Sequence, residues 1–159
     1  MAKKVKVKKT LVQQILTKAG INHKGIQINA LEGELPQGYD KSQIFKTLAL
    51  LGDKTGPLIG ILPITEHLSE KKLAKISGNK KVSMIPQKDL EKTTGYIHGA
   101  NNPVGIRQKH NYPIFIDQTA LQLNEMIVSA GEVGHSIIIN PKDLTSFVKA
   151  EFADIREGQ

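Results

Sequence analysis

Residues 44–64 read Ile44-Phe45-Lys46-Thr47-Leu48-Ala49-Leu50-Leu51, then Gly52-Asp53-Lys54-Thr55-Gly56-Pro57, then Leu58-Ile59-Gly60-Ile61-Leu62-Pro63-Ile64. Two apolar runs around a Gly/Asp/Pro turn predict a β-hairpin. The runs are nearly continuous rather than alternating, which places the hairpin at the centre of a sheet covered on both faces. Lys46 then stands inside an apolar strand. A lysine there is costly unless its amine reaches water or an anion. Two readings follow: the stem lies along the core while the amine snorkels out, or the amine serves a ligand.

Working outward, the flanks supply further elements. Leu11, Ile15, Leu16 and Ala19 share a helical face after Thr10, and Gly20 is a stop signal. Ile26 and Ile28 alternate with polar neighbours as a short strand does, and Glu32 to Asp40, with Gly33, Pro36 and Gly38, reads as loop. Downstream, Ser69 caps a helix through Leu73, Ala74 and Ile76 that stops at Gly78. Lys80 to Ile85 predicts a strand, Pro86 to Lys92 a short helix, and Ile114 to Asp117 another strand. Met126–Gly131 and Ser136–Ile139 predict a second hairpin closed by Glu132 to His135. A last helix begins near Pro141, with Leu144, Phe147, Val148 and Phe152 on one face. About seven short strands and four helices, without regular βαβ alternation, predict a single α+β domain with a mixed sheet. A basic arm over residues 1–9 precedes that domain over residues 10–159.

Composition narrows the function. With 159 residues the chain can bury a full core without staples. It contains no cysteine, which removes disulfides, thiolate metal sites and cysteine nucleophiles together. The longest strongly apolar run, Leu58 to Ile64, is far short of the roughly 20 residues that span a bilayer. A soluble, cytoplasmic protein with no membrane partner is expected. The net charge is +7, but Lys3, Lys4, Lys6, Lys8 and Lys9 account for five of those charges, which leaves 17 basic against 15 acidic residues elsewhere. The arm is either a solvated tail or a contact for phosphates.

A second stretch carries the chemistry: Thr93-Thr94-Gly95-Tyr96-Ile97-His98-Gly99-Ala100-Asn101-Asn102-Pro103-Val104-Gly105. Glycines permit positive φ and close approach, so this loop either offers backbone N–H groups to a ligand or forms a pair of tight turns. Its G-x3-G-x5-G spacing is neither the dinucleotide motif nor the P-loop. The histidines at 23, 67, 98, 110 and 135 form no H-E-x-x-H motif and no close pair, so no metal is expected. His98, inside the loop, could titrate near neutrality or be exposed and inert. No G-x-S-x-G is present. Asp117 at a strand end either orients a partner or closes a turn. What remains is a cation at Lys46, amides around Gly95 and Gly99, and hydroxyls on Thr47, Tyr96 and Ser129. That set suits an anionic or acyl ligand, and catalysis by positioning and by stabilising negative charge on oxygen.

Ile44-Phe45-Lys46-Thr47-Leu48, Thr94-Gly95-Tyr96 with Gly99 and Pro103-x-Gly105, Val128-Ser129-x-Gly131 with Gly134, and Phe152-Ala153-Asp154-Ile155 stand in an order and spacing that resembles the YbaK/EbsC family. Its members are free-standing relatives of the editing domain inserted in bacterial prolyl-tRNA synthetases. The resemblance runs from about Leu11 to Ile155 and is nearest to the EbsC-like branch. It implies a mixed, barrel-like sheet surrounded by helices, and an aminoacyl-tRNA deacylase that clears cysteine from proline tRNA alongside prolyl-tRNA synthetase, without a cofactor. In the family's mechanism the substrate's own thiol attacks its ester carbonyl. Carried over by position, Lys46, Gly99 and Thr47 would serve catalysis, with Lys46 on the tRNA 3′ end. Thr94, Gly95, Tyr96, Asn102, Ser129, Gly131, Gly134 and Ser136 would contact substrate. The chain departs from the family's pattern at Ser136, often an aspartate, and at Glu132 and Val133, often basic. Gly99-Ala100 stands for Gly-Gly, Asn102-Pro103 for Ser-Pro, and the segment before Lys46 is shorter. Two rivals stay open: a nucleic-acid-binding or regulatory protein without catalysis, and a deacylase for another ester such as Ala-tRNA(Pro).

Overall fold

The structure, a computed structural model, describes residues 9–28, 35 and 37–158. Residues 1–8 of the basic arm and residues 32–34 and 36 of the Glu32–Asp40 loop therefore lie outside the described residues. The expected hairpin is present: β2 (Phe45–Gly52) pairs antiparallel with β3 (Gly56–Pro63) from Phe45↔Pro63 to Gly52↔Gly56. Its register explains the continuous apolar reading. Phe45, Ala49, Ile59 and Ile61 join the larger hydrophobic cluster, while Leu50, Leu58 and Leu62 join a second. Both faces are covered, so neither is written in polar residues.

Around this hairpin stand β4 (Val82–Met84), β5 (Ile114–Asp117) and β8 (Glu151–Ala153) in the order β4-β2-β3-β5-β8. Pairing is antiparallel for β4-β2-β3 and parallel for β3-β5-β8, so the sheet is mixed. A second sheet, order β1-β7-β6, contains β1 (His23–Ile26), β6 (Met126–Glu132) and β7 (His135–Ile139), all antiparallel. The two sheets meet at one parallel bridge, Ile44↔Ile127. The barrel-like arrangement is thus two sheets joined at one corner, without closure.

Five α-helices of the described residues surround them. In α1 (Leu11–Lys18), Thr10 and Gln13 form a capping box, and Val12 and Leu16 are the buried pair. The expected face is rotated: Leu11 is exposed, because the i, i+4 pair that meets β6 is Val12/Leu16. In α2 (Glu70–Ser77), Ser69 caps the start and Gly78, at φ +81°, ends it. The chain continues through α3 (Gln87–Thr94), α4 (Pro103–Lys109) and α5 (Pro141–Val148). The structure corrects the expected element count. α4 occupies the end of the stretch read as loop, with Asn102 as its N-cap and Pro103 at its first position. Phe152 belongs to β8, not to the last helix, because α5 ends at Lys149 with φ +56°. No helix of the described residues is long and apolar enough to cross a membrane.

Asp117 closes a turn. It is fully buried at the end of β5, and Oδ2 accepts from Thr119 N and Oγ1 at 3.1 and 2.7 Å. Oδ1 accepts from Ile155 N at 3.0 Å and so clasps the C-terminal segment after β8. Asp117→Ala would leave the Thr119 and Ile155 donors without their acceptor, and we expect a loss of about 3 kcal/mol of unfolding free energy. Urea denaturation measures it, and a loss below about 1 kcal/mol would show that the clasp is dispensable.

Candidate active site

The site is built where β2 loses a neighbour. On its outer edge β4 pairs only with Leu50–Gly52, and Ile85 N donates to Ala49 O at 3.1 Å. Between there and the Ile44↔Ile127 bridge no strand of the described residues pairs with this edge. Instead Asn101 Nδ2 donates to Thr47 O at 3.1 Å. Across the gap stand the tip of the β6–β7 hairpin, the loop around Gly99, and the segment from Ile85 to Leu90. They enclose a cavity of about 380 Å³, at the small end of the roughly 300–1,000 Å³ range of ligand sites.

Lys46 lines this cavity and also a neighbouring groove of about 620 Å³ bounded by Leu48, His67 to Lys71, Met84 and Glu157. Its ammonium has no ion-pair partner among the described residues. Burial pushes its pKa below the ordinary lysine value, and the charge of Glu66 opposes that shift in part. Lys46 therefore faces both spaces as a partly desolvated cation, suited to receive an anion.

The 94–105 loop is held by its own hydrogen bonds. Thr94, fully buried, accepts from Tyr96 N at 3.1 Å and directs its hydroxyl to the carbonyls of Leu90 and Tyr96. Gly95, at φ +88°, ends α3, and its amide donates to Glu91 O at 2.7 Å. That amide, expected as a donor to ligand, is thus used in capping the helix. Tyr96 lies against Gly105 so closely that a Cβ there would collide with the phenol, and Lys109 Nζ sits 4.5 Å from the ring centroid. Asn102 Oδ1 accepts from Gly105 N at 2.6 Å and Nδ2 donates to Ala100 O at 3.0 Å. Ser129 ties loop to sheet: its hydroxyl donates to Gly99 O and accepts from Gly131 N, both at 3.2 Å.

The residues singled out from sequence therefore divide. Lys46, Thr47, Gly99, Ser129, Gly134 and Ser136 line the cavity together. Thr94, Gly95, Tyr96, Asn102 and Gly131 stand behind its wall and fix the loop that forms it. His98 lines the cavity as well. Sequence reasoning missed Asn101 and His135, which also face the cavity, and the apolar wall of Met84, Ile85 and Leu90. Asn101 sat inside the quoted loop, but nothing in its neighbours separates it from Asn102. Among the described residues no three His, Asp or Glu side chains gather as metal ligands do.

Residues 31–147 match the aminoacyl-tRNA editing domain family. The chain belongs to this family. It is 38% identical over 162 residues, 98% of each chain, to the "Putative Cys-tRNA(Pro)/Cys-tRNA(Cys) deacylase EbsC" of Enterococcus faecalis. It is 27% identical over 126 residues to a proline–tRNA ligase of Limosilactobacillus fermentum, matching 77% of this chain and 22% of the ligase. A solved structure of a "putative trans-editing enzyme for prolyl tRNA synthetase" superposes with a TM-score of 0.79 at 25% identity, over 92% of this chain and 95% of that one. The family resemblance seen in the sequence thus holds along nearly the whole chain, and the α+β architecture is shared.

The depressed pKa of Lys46 sets a sign for stability. Between the lowered folded value and 10.5 the unfolded chain binds more protons, so Lys46 makes stability rise with pH through that window. Below it the charged amine is a standing cost. Lys46→Met should therefore be at least as stable as wild type at pH 7, with the difference shrinking as pH approaches 10.5. Thermal unfolding at several pH values tests this, and a variant clearly less stable at pH 7 would show that Lys46 is a structural cation.

Proposed function

We propose that this protein is a trans-acting deacylase that removes a misattached amino acid from tRNA, with cysteine on proline tRNA as its principal substrate. The observation that carries the reading is Lys46, a partly desolvated cation that lines the cavity and has no ion-pair partner among the described residues, in a member of an aminoacyl-tRNA editing family. Lys46 would bind a phosphate or ribose oxygen of the tRNA 3′ end, and the groove it shares with the cavity would give the polynucleotide a way in. The acyl group would enter between β2 and the Gly99 loop, against Phe45, Ile85 and Leu90.

The protein offers no cysteine, and the Ser129 hydroxyl is committed to Gly99 O. This supports a nucleophile carried by the substrate. The cysteinyl thiol attacks the ester carbonyl, a carbon–sulfur bond forms, the ester carbon–oxygen bond breaks, and the thiol proton ends on the departing ribose hydroxyl. The product is a cyclic thioester that water then opens. The protein's part is to hold the ester at both ends so that sulfur and carbonyl meet, and to exclude bulk water. The match to a segment of a proline–tRNA ligase supports prolyl-tRNA synthetase as the enzyme whose errors are corrected.

The test is deacylation of Cys-, Ala- and Pro-tRNA(Pro) and Cys-tRNA(Cys), with and without prolyl-tRNA synthetase. We expect release of cysteine, and a loss of about 100-fold or more in kcat/KM on Lys46→Met. Release of alanine would keep the deacylase and exclude the thiol route, since alanine has none. Binding of tRNA without release would turn the reading to a regulatory protein on this fold.

A further inference from the structure

Two polar side-chain atoms in the cavity wall have no hydrogen-bond partner among the described residues: Thr47 Oγ1 and Asn101 Oδ1. Asn101 is only 6% exposed. Its amide orientation is fixed by chemistry: the group facing the Thr47 carbonyl at 3.1 Å must be the one that carries protons, so Nδ2 lies there and Oδ1 is the acceptor left over. Buried polar atoms without partners are rare in folded proteins, and beside a cavity they call for one from the ligand; Asn101 Oδ1 can only accept, and Thr47 Oγ1 can accept while its own proton turns elsewhere. Both atoms belong to residues already joined by that amide–carbonyl bond, so they form one patch.

The patch and Lys46 have opposite polarity, and Thr47, the member of the patch on β2, stands one residue from Lys46. Successive side chains of a strand point to opposite faces. Consistent with this, Lys46 borders the outer groove as well as the cavity, whereas Thr47 and Asn101 border the cavity alone. A ligand matched to this wall has an anionic end toward the groove and a donor-rich end inside. The 3′ terminus of an aminoacylated polynucleotide has that polarity: phosphate on one side of the ribose, α-ammonium on the far side of the ester. A ribose hydroxyl donates one proton and would satisfy one oxygen; an ammonium donates three and satisfies both.

We infer that Thr47 Oγ1 and Asn101 Oδ1 form a receptor for the α-ammonium of the bound aminoacyl group, so that the site selects esters with a free amino group. The inference rests on the deacylase reading above. Its consequence is selectivity: an ester whose amine is acylated, as in a growing peptide, would leave one or both oxygens unpaired and would be spared. Fixing the amine also fixes the rotation about the bond from the α-carbon to the carbonyl, which sets where the side-chain thiol lies relative to the carbonyl carbon.

The experiment compares three esters of the same tRNA(Pro): cysteinyl, N-acetylcysteinyl, and 3-mercaptopropionyl, which keeps thiol and ester but lacks the amine. For wild type we expect cysteinyl to be preferred by about 10-fold or more in kcat/KM over either analogue, since a site built for a polar group rejects analogues without it. In Asn101→Ala the preference should fall to about 2-fold or less, and Thr47→Val, which leaves the bond from Asn101 to the Thr47 carbonyl in place, should do the same. Because the readout is a ratio of substrates on one enzyme, a general loss of folded protein cancels. Equal turnover of all three esters by wild type, or variants that slow all three by the same factor, would overturn the inference while leaving the deacylase intact. No release from any ester would overturn both.

Discussion

Among the described residues, the N-terminal half of β2 has a strand partner on one edge only. β3 pairs with its whole length, but on the other side β4 stops at Leu50 and the neighbouring sheet touches at Ile44↔Ile127. A bare strand edge invites pairing with other chains, and folded proteins cover such edges with a loop or side chain. Here the cover is the Gly99 loop, which sends the Asn101 amide to the Thr47 carbonyl in place of a strand. A side chain fills less of the gap than a strand would, and the space left over is the cavity. Fold and candidate site are therefore one feature: the sheet that closes poorly is the sheet that carries the cavity.

The loop can act as a cover because it is rigid for local reasons. Thr94 and Gly95 end one helix, Asn102 begins the next, and Tyr96 packs on the bare face of Gly105 between them. The Ser129 hydroxyl then fastens the Gly99 carbonyl to β6. Glycine is required at 95 and 105 for different reasons, a positive φ at the first and a collision with the Tyr96 phenol at the second. Residues behind the wall thus decide the shape of the site without touching its contents, and they share the motif that carries the family resemblance.

The hairpin, the second hairpin and the cap of α2 were legible in the sequence because each rests on local pattern: apolar runs, a turn, a serine before a helix and a glycine after it. α4 was hidden by the glycines and asparagines around it, although Asn102-Pro103 is an ordinary helix start. β8 is three residues long and exists only through pairing with β5. The same division holds at the site. Lys46 stood out because a lysine inside an apolar strand breaks the local pattern. Asn101 did not, since its role depends on a carbonyl 54 residues away in the chain. Glu66, which opposes the desolvation of Lys46, is likewise brought near it only by the fold. Local chemistry is written in the sequence; convergence is not.

A partly desolvated ammonium and two unpaired oxygens are each a cost to the folded state, and all three lie on or against β2. Their location has a physical logic. β2 and β3 contribute Leu50, Leu58, Ile59, Ile61 and Leu62, all fully buried, so this pair of strands is firmly held between packed faces. Groups that would prefer other company can be kept in place only by a backbone that does not move to relieve them. A flexible loop would let Lys46 turn to water and let Thr47 find a partner, and the polarity of the wall would be lost. The central strand pair tolerates the misfit because its two faces are packed, and under the reading proposed above a ligand with one anionic and one cationic end would relieve that misfit where solvent cannot.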